Sequence, residues 1–298
     1  MIVVIVGPTG VGKTKLSVEL AKKLNGEIIN GDSTQVYRTL DIATAKVTEK
    51  EKEDIPHHLF DIKDITEDYT VYDYQKDARR VIDDILGRKK TPIIVGGTGL
   101  YIKAALYNYE FEDETKRNDY SSYSNEELYK KALAIEPDLD IHMNNRKRIE
   151  RFLDYYENNN KPLSQKEKSE DLIYDNVLFI GLTTSREVLY DRLNNRVDKM
   201  FEEGLLEEVK RVYDSDIRTK AVLTPIGYKE LFPYLDGKET LENCIEIMKQ
   251  RTRKYAKRQY TWFNHQVKVN WFDVDFENFN NTVEEIYKFI IKETNQND

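Results

Sequence analysis

Residues 2–14 read I-V-V-I-V-G-P-T-G-V-G-K-T, and no other stretch limits the fold as much. The apolar run Ile2–Val6 passes directly into Gly7, Pro8, Thr9, Gly10, Val11, Gly12, Lys13 and Thr14, after which Leu16, Leu20 and Leu24 recur at helical spacing. A short uninterrupted run of β-branched residues is a buried strand, and the leucines that follow are one face of a helix. Between them stands G-x-x-x-x-G-K-[ST] in the context where the pattern has physical meaning. The glycines let successive N–H groups aim at one anion, and the helix N-terminus adds partial positive charge. Lys13 contributes a point charge and Thr14 a hydroxyl suited to Mg²⁺. The stretch Gly7–Thr14 is therefore expected to bind a di- or triphosphate, with the fate of that group left open.

A chain of 298 residues is long for one compact domain and short for two, so one core with an insertion is expected. No apolar run approaches membrane-spanning length, and a chain that enters a core strand at once leaves no room for a signal peptide. The single cysteine, Cys244, excludes an internal disulfide framework and a multi-cysteine zinc site. A cytoplasmic protein is expected. The net charge of −8 argues against nucleic-acid binding in the sum, yet the basic residues cluster.

A second strand, Glu27–Asn30, leads into the polar segment Gly31–Lys46. Topology puts Asp32, at that strand's carboxyl end, near the phosphate loop, although the position alone fits a turn aspartate equally well. Pro56–Ile62 reads as a third strand or its approach, and His57 and His58 as structural or hydrogen-bonding residues without metal-ligand spacing. Val71–Leu86 is amphipathic, with Gly87 closing the helix. Pro92–Val95 is another buried strand and runs into Gly96-Gly97-Thr98-Gly99, followed by a helix to about Tyr107. No carboxylate ends that strand, which counts against an ATP-hydrolysing motor.

From about Tyr109 the β-rich runs vanish until Val177. Ser124 and Glu127 form a capping box, and a helix spans roughly Asn144–Tyr156 with a basic turn from Arg146 to Arg151. Val177–Leu182 returns to strand. Thr184 and Glu187 are expected to cap a helix that carries Arg186, Arg192 and Arg196, three candidate anion clamps. Another helix is expected from Thr224 to about Leu235, then a long one over Leu241–Tyr260, a strand at Val267–Trp271 and a helix at Val283–Ile291. Lys249–Arg258 holds six basic residues in ten and no acidic one, interleaved with Tyr255 and followed by Tyr260, Trp262 and Phe263. That mixture suits a phosphate backbone with unstacked bases. The expected fold is α/β: a P-loop NTPase-like parallel sheet flanked by helices (1–108 and 173–298), with a small inserted helical domain (109–172).

Taken together, GPTGVGKT (Gly7–Thr14), GDSTQVYRTLDIATAK (Gly31–Lys46), VGGTGLYIKA (Val95–Ala104), RKRIERFLDYY (Arg146–Tyr156), REVLYDRLNNRVDKM (Arg186–Met200), IGYKEL (Ile226–Leu231) and RTRKYAKRQYTWF (Arg251–Phe263) resemble the tRNA dimethylallyltransferases along essentially the whole chain. The resemblance implies transfer of a dimethylallyl group from dimethylallyl diphosphate to N6 of the adenosine at tRNA position 37, beside the anticodon, with release of diphosphate. Asp32 is then the general base, Thr98 a hydroxyl at the reacting centre, and Lys13, Thr14 and Arg196 the ligands of diphosphate and Mg²⁺, with Thr14 on the metal. It also implies tRNA contacts at Asp32, Ser33, Thr34, Gln35 and Thr98; at Lys147, Arg148, Ile149, Glu150 and Arg151; at Thr224, Pro225, Ile226, Gly227, Tyr228 and Lys229; and at Thr252, Arg253, Lys254, Tyr255, Ala256, Lys257, Arg258 and Gln259. The second of these segments departs from the family's usual Gln at Lys147 and from its usual Leu-Ser at Ile149-Glu150. The implied partners are the tRNA anticodon stem-loop and the allylic diphosphate, with no membrane, and the enzyme is expected to be a monomer. The alternatives are a small-molecule kinase on the same loop or a prenyltransferase of free adenine nucleotides, neither of which needs the Arg251–Arg258 cluster, and a nucleotide-gated RNA-binding module, in which Asp32→Asn would change nothing measurable.

Overall fold

The computed structural model describes residues 1–109, 118–162 and 171–297. It divides into two compact units, Met1–Tyr107 with Leu172–Asp298, and Asn108–Asp171.

The first unit is built on a six-stranded, all-parallel sheet. In chain order its elements are β1 (Ile2–Val6), α1 (Lys13–Leu24), β2 (Gly26–Asn30), α2 (Glu49–Lys52), β3 (His57–His58), α3 (Val71–Gly87), β4 (Thr91–Val95) and α4 (Gly99–Leu106). The second unit supplies α5 (Asn125–Ile135) and α6 (Arg146–Asn159). The first unit then resumes with β5 (Val177–Thr183), α7 (Arg186–Glu202), α8 (Leu205–Asp214), α9 (Lys220–Leu223), α10 (Tyr228–Leu235), α11 (Leu241–Gln266), β6 (Asn270–Asp273) and α12 (Phe279–Asn297). The strand order is β3-β2-β4-β1-β5-β6. The chain leaves β1 toward β2, returns through β4 and crosses to β5, so β1 sits where the winding reverses, and its carboxyl end is the expected ligand edge.

Every residue of β1 is buried, as an apolar run covered on both faces requires. Val4, Val6 and Ile29 point into a core shared with α3, α7, α8, α10 and α11. Val3, Ile5 and Ile28 point into the opposite core with Leu16 and Leu20 of α1 and Ile286 and Ile290 of α12. Cys244 lies in the first core as a small packed residue. The second unit has its own core of Leu128, Ala132, Ile149, Phe152 and Leu153, and the Ser124–Glu127 capping box opens α5 as expected.

Several boundaries move for identifiable reasons. The third strand shrinks to His57–His58, because only these two residues pair with β2. β5 extends to Thr183, which pairs with Asp273, so the cap of α7 falls on Ser185, whose hydroxyl accepts from the Val188 N–H. The helix expected from Thr224 begins instead at Tyr228: Gly227 has φ 135, outside any helix, and a side chain there would meet Ala43 Cβ at 2.9 Å. α11 runs six residues past Tyr260, carrying buried Phe263 onto the core, so the following strand starts only at Asn270. α6 spans Arg146–Asn159, with Asn145 at its cap.

Candidate active site

Three loops leave the carboxyl edge of the sheet side by side. Gly7–Gly12 follows β1, Gly31–Gln35 follows β2 and Gly96–Thr98 follows β4. The last two lie against each other: Gly31 N–H donates to Val95 C=O at 2.8 Å, Thr98 N–H donates to Gly31 C=O at 3.1 Å, and a Cβ on Gly96 would lie 2.1 Å from the Gly31 backbone.

Asp32 is fixed by its neighbours. Buried Asn30 accepts from the Asp32 N–H at 2.8 Å and donates to the Asp32 and Leu59 carbonyls at 3.0 Å. One carboxylate oxygen of Asp32 accepts from the Thr34 N–H and hydroxyl at 2.9 and 2.7 Å; the other faces Gly97. The Thr98 hydroxyl accepts from the Ser33 N–H at 3.0 Å and lies 3.2 Å from the Ser33 hydroxyl, so it holds the turn that presents Asp32.

Lys13 is half-buried and donates to the Gly7 and Pro8 carbonyls at 3.0 and 2.8 Å. Burial pulls its ammonium down to about 7, against the attraction of Asp32 and with the help of Arg196. Burial likewise depresses the Arg196 guanidinium, again opposed by Asp32. Arg196 donates to the Thr9 hydroxyl at 2.8 Å. Arg192 donates to the Gly10 carbonyl at 3.3 Å with its guanidinium 3.8 Å from the centre of the Phe276 ring. Lys13 and Arg196 thus stand by one carboxylate beside a loop whose glycines leave N–H groups for an anion. The Thr14 hydroxyl has no hydrogen-bond partner among the described residues.

Two cavities open from this point. One, of about 690 Å³, is lined by the phosphate loop, Lys13, Thr14, Arg192 and the Asp41–Thr48 segment. The other, of about 880 Å³, is lined by Ser33, Thr98, Thr224–Ile226, Lys254, Tyr255 and Arg258. Thr9, Asp32, Gly97, Arg196 and Gln259 line both, so Asp32 stands on the wall between them.

Not every residue expected at an RNA surface is on one. Ala256 is buried against Leu189 and Leu193, Tyr228 is buried with its hydroxyl donating to Glu208 at 2.7 Å, and Gly227 serves the turn before α10. Arg253 donates to Asn194 at 2.5 Å, and Arg251 pairs with buried Glu230. Gln35 donates through its amide to the Thr44 and Ala45 carbonyls. Lys254, Lys257 and Arg258 are exposed. In the second unit Lys147, Arg148 and Arg151 are exposed, while Ile149 is in the core and Glu150 pairs with Arg146 at 2.7 Å. Of the three candidate clamps, Arg186 lies over the Tyr190 ring instead of at the phosphate loop.

His58 pairs with buried Glu27 at 2.8 Å and His57 with the Ile55 carbonyl, which matches the structural reading of both. Among the described residues no group of three His, Cys, Asp or Glu side chains could hold a metal. No helix among them is long and apolar enough to cross a membrane.

Residues invisible to motif reading carry much of this geometry. Buried Glu208 accepts from the Asp41, Ile42 and Ala43 N–H groups at 2.8–3.1 Å and so pins the segment that roofs the first cavity. Its only sequence signal is a glutamate on an otherwise apolar helix face.

Residues 35–266 match the family model described as IPP transferase. A tRNA dimethylallyltransferase of Anoxybacillus flavithermus is 50% identical over 97% of this chain and 96% of the relative, and one of Bacillus subtilis is 47% identical over 92% and 90%. Among solved structures, a tRNA isopentenylpyrophosphate transferase from Bacillus halodurans superposes with a TM-score of 0.77 at 44% identity, covering 99% of this chain and 97% of that one. A eukaryotic dimethylallyltransferase acting on tRNA superposes with a TM-score of 0.85 at 32% identity, over 99% of this chain and 79% of that one. With a matched model over most of its length and relatives at half identity end to end, this chain belongs to the IPP transferase family, the tRNA dimethylallyltransferases.

Proposed function

We propose that this chain moves a dimethylallyl group from dimethylallyl diphosphate to N6 of the adenosine at tRNA position 37. The observation that carries the reading is the shared wall: a carboxylate, Asp32, between an anion cradle on one side and a cavity edged by basic and aromatic residues on the other. The donor's diphosphate occupies Gly7–Thr14, and the extruded adenine enters the second cavity. The allylic C–O bond breaks and its electron pair leaves with the diphosphate, whose charge Lys13, Arg196 and the loop N–H groups stabilise. The N6 lone pair forms the C–N bond, and the N6 proton passes to Asp32.

The residues present suit a divalent metal of the Mg²⁺ kind, which keeps several waters and takes few protein ligands beside substrate phosphates. Thr14, with its unpartnered hydroxyl, would hold it. When bound, the metal supplies further neutralisation of the departing diphosphate. The family resemblance carries with it a monomer, and a tRNA substrate supports a cytoplasmic location.

The test is incubation of the full chain with tRNA and dimethylallyl diphosphate, with mass analysis of the RNA nucleosides. An adenosine heavier by one five-carbon group is expected. RNA of unchanged mass, with ATP consumed instead, would reject the reading in favour of a kinase.

RNA phosphates are proposed to lie along Lys254 and Arg258 and, from the insertion, Lys147, Arg148 and Arg151. Lys254→Ala and Arg258→Ala are each expected to weaken tRNA binding and to flatten the plot of log affinity against log salt by about 0.7–0.9. An unchanged slope would remove that residue from the RNA surface.

A further inference from the structure

Gln259 lies in the segment of α11 that the family resemblance assigns to tRNA, yet only 4% of it is exposed. Its carboxamide joins two loops. The oxygen accepts from the Thr9 N–H of the phosphate loop at 2.8 Å, across 250 residues of sequence. The nitrogen donates to the Gly97 carbonyl at 3.2 Å. Thr9 is gripped a second time, through its hydroxyl, by Arg196. Gly97 adjoins Thr98, which holds the turn that carries Asp32. Gly97 also makes the contact possible, since a Cβ there would lie 1.9 Å from the Gln259 amide nitrogen.

We infer that Gln259 is a positioning residue: its carboxamide sets the spacing between the diphosphate loop and the Asp32–Thr98 turn, and hence the alignment of the carbon losing diphosphate with the amine losing its proton. The inference rests on the prenyl-transfer reading above. An amide fits the task because one loop offers an N–H and the other a C=O, and a carboxamide presents an acceptor and a donor in one rigid plane whatever the pH. Glutamate has no donor when ionised, and methionine matches the length without either strong hydrogen bond. Misplacement of reacting groups by about 1 Å costs on the order of a hundredfold in rate.

The experiment measures steady-state prenyl transfer by the full chain with Gln259→Met, Gly97→Ala and the double variant. Each single variant is expected to lose about tenfold to a hundredfold in kcat, with the KM for dimethylallyl diphosphate and for tRNA within about threefold of wild type. The double variant is expected to be no more than about threefold below the worse single one, because both disrupt the same bridge. A kcat within about twofold of wild type in Gln259→Met overturns the inference. So does a rise in the tRNA KM as large as the fall in kcat, which would make Gln259 an RNA contact. Gly97→Ala retains the glutamine but pushes its carboxamide off the loop, and it decides the matter should Gln259→Met fail to fold. Wild-type protein that forms no prenylated nucleoside defeats the underlying reading, whereas normal wild-type transfer with unaffected variants defeats only the role of Gln259.

Discussion

Asp32→Asn is expected to lower single-turnover prenyl transfer by about 10²–10⁴-fold while leaving the tRNA dissociation constant within about twofold. The amide keeps an oxygen for the Thr34 N–H and hydroxyl, and the Asn30 bonds to the residue 32 backbone do not involve the replaced group. The turn therefore persists, and what is lost is the proton acceptor on the wall between the cavities. The exocyclic amine of adenine is a poor nucleophile, so its proton must leave as the C–N bond forms. The loss is expected in kcat, with KM for either substrate little changed, because a proton acceptor acts mainly in the transition state. Rapid-quench transfer with mass analysis, beside filter binding of tRNA, checks both halves. Turnover comparable to wild type would take the base role away from Asp32.

The parts of the site that could be read from the chain are those whose signal is local. Ile2–Thr14 announces strand, anion loop and helix within one short run, and Gly96–Thr98 and Asp32 follow from the rule that ligands gather at the carboxyl ends of parallel strands. What could not be read is held by partners far apart in sequence. Nothing near Gln259 indicates that it bonds Thr9, and nothing near Glu208 indicates the backbone N–H groups of Asp41–Ala43. The basic helix misled for a related reason. Charge clustering in Lys249–Arg258 marks α11 as cationic, but helical rotation turns Ala256 and Gln259 inward and sets Arg253 against Asn194. Cap and strand boundaries slipped at Ser185 and Asn270 because pairing with a neighbouring strand, or a helix prolonged to bury Phe263, outweighs local propensity.

Diphosphate binding is expected to take up a proton above neutral pH, and Lys13 is the reason. In the free protein burial brings its ammonium from 10.5 down to about 7, so at pH 8 most molecules hold it neutral against the Gly7 and Pro8 carbonyls. An arriving diphosphate favours the charged form and raises that pKa again. Affinity for inorganic pyrophosphate is therefore expected to be level, as far as this group decides, below pH 7 and to fall by up to about tenfold per unit as pH rises from there to the pKa in the complex. The same shift acts on folding with its own sign. Between pH 7 and 10.5 the unfolded chain binds more protons at this residue than the folded one, so its contribution to stability rises with pH across that window. Lys13→Met keeps most of the stem and removes the titration. It is expected to abolish the proton uptake and to cost about 10²–10³-fold in turnover, since the leaving oxygen loses its point charge. The uptake is read by pyrophosphate titration calorimetry at pH 8 in two buffers of different ionisation enthalpy. Identical heats in both buffers would mean that Lys13 is already charged before the ligand arrives, and the cradle would then be an electrostatic site set in advance, with no proton drawn in by its ligand.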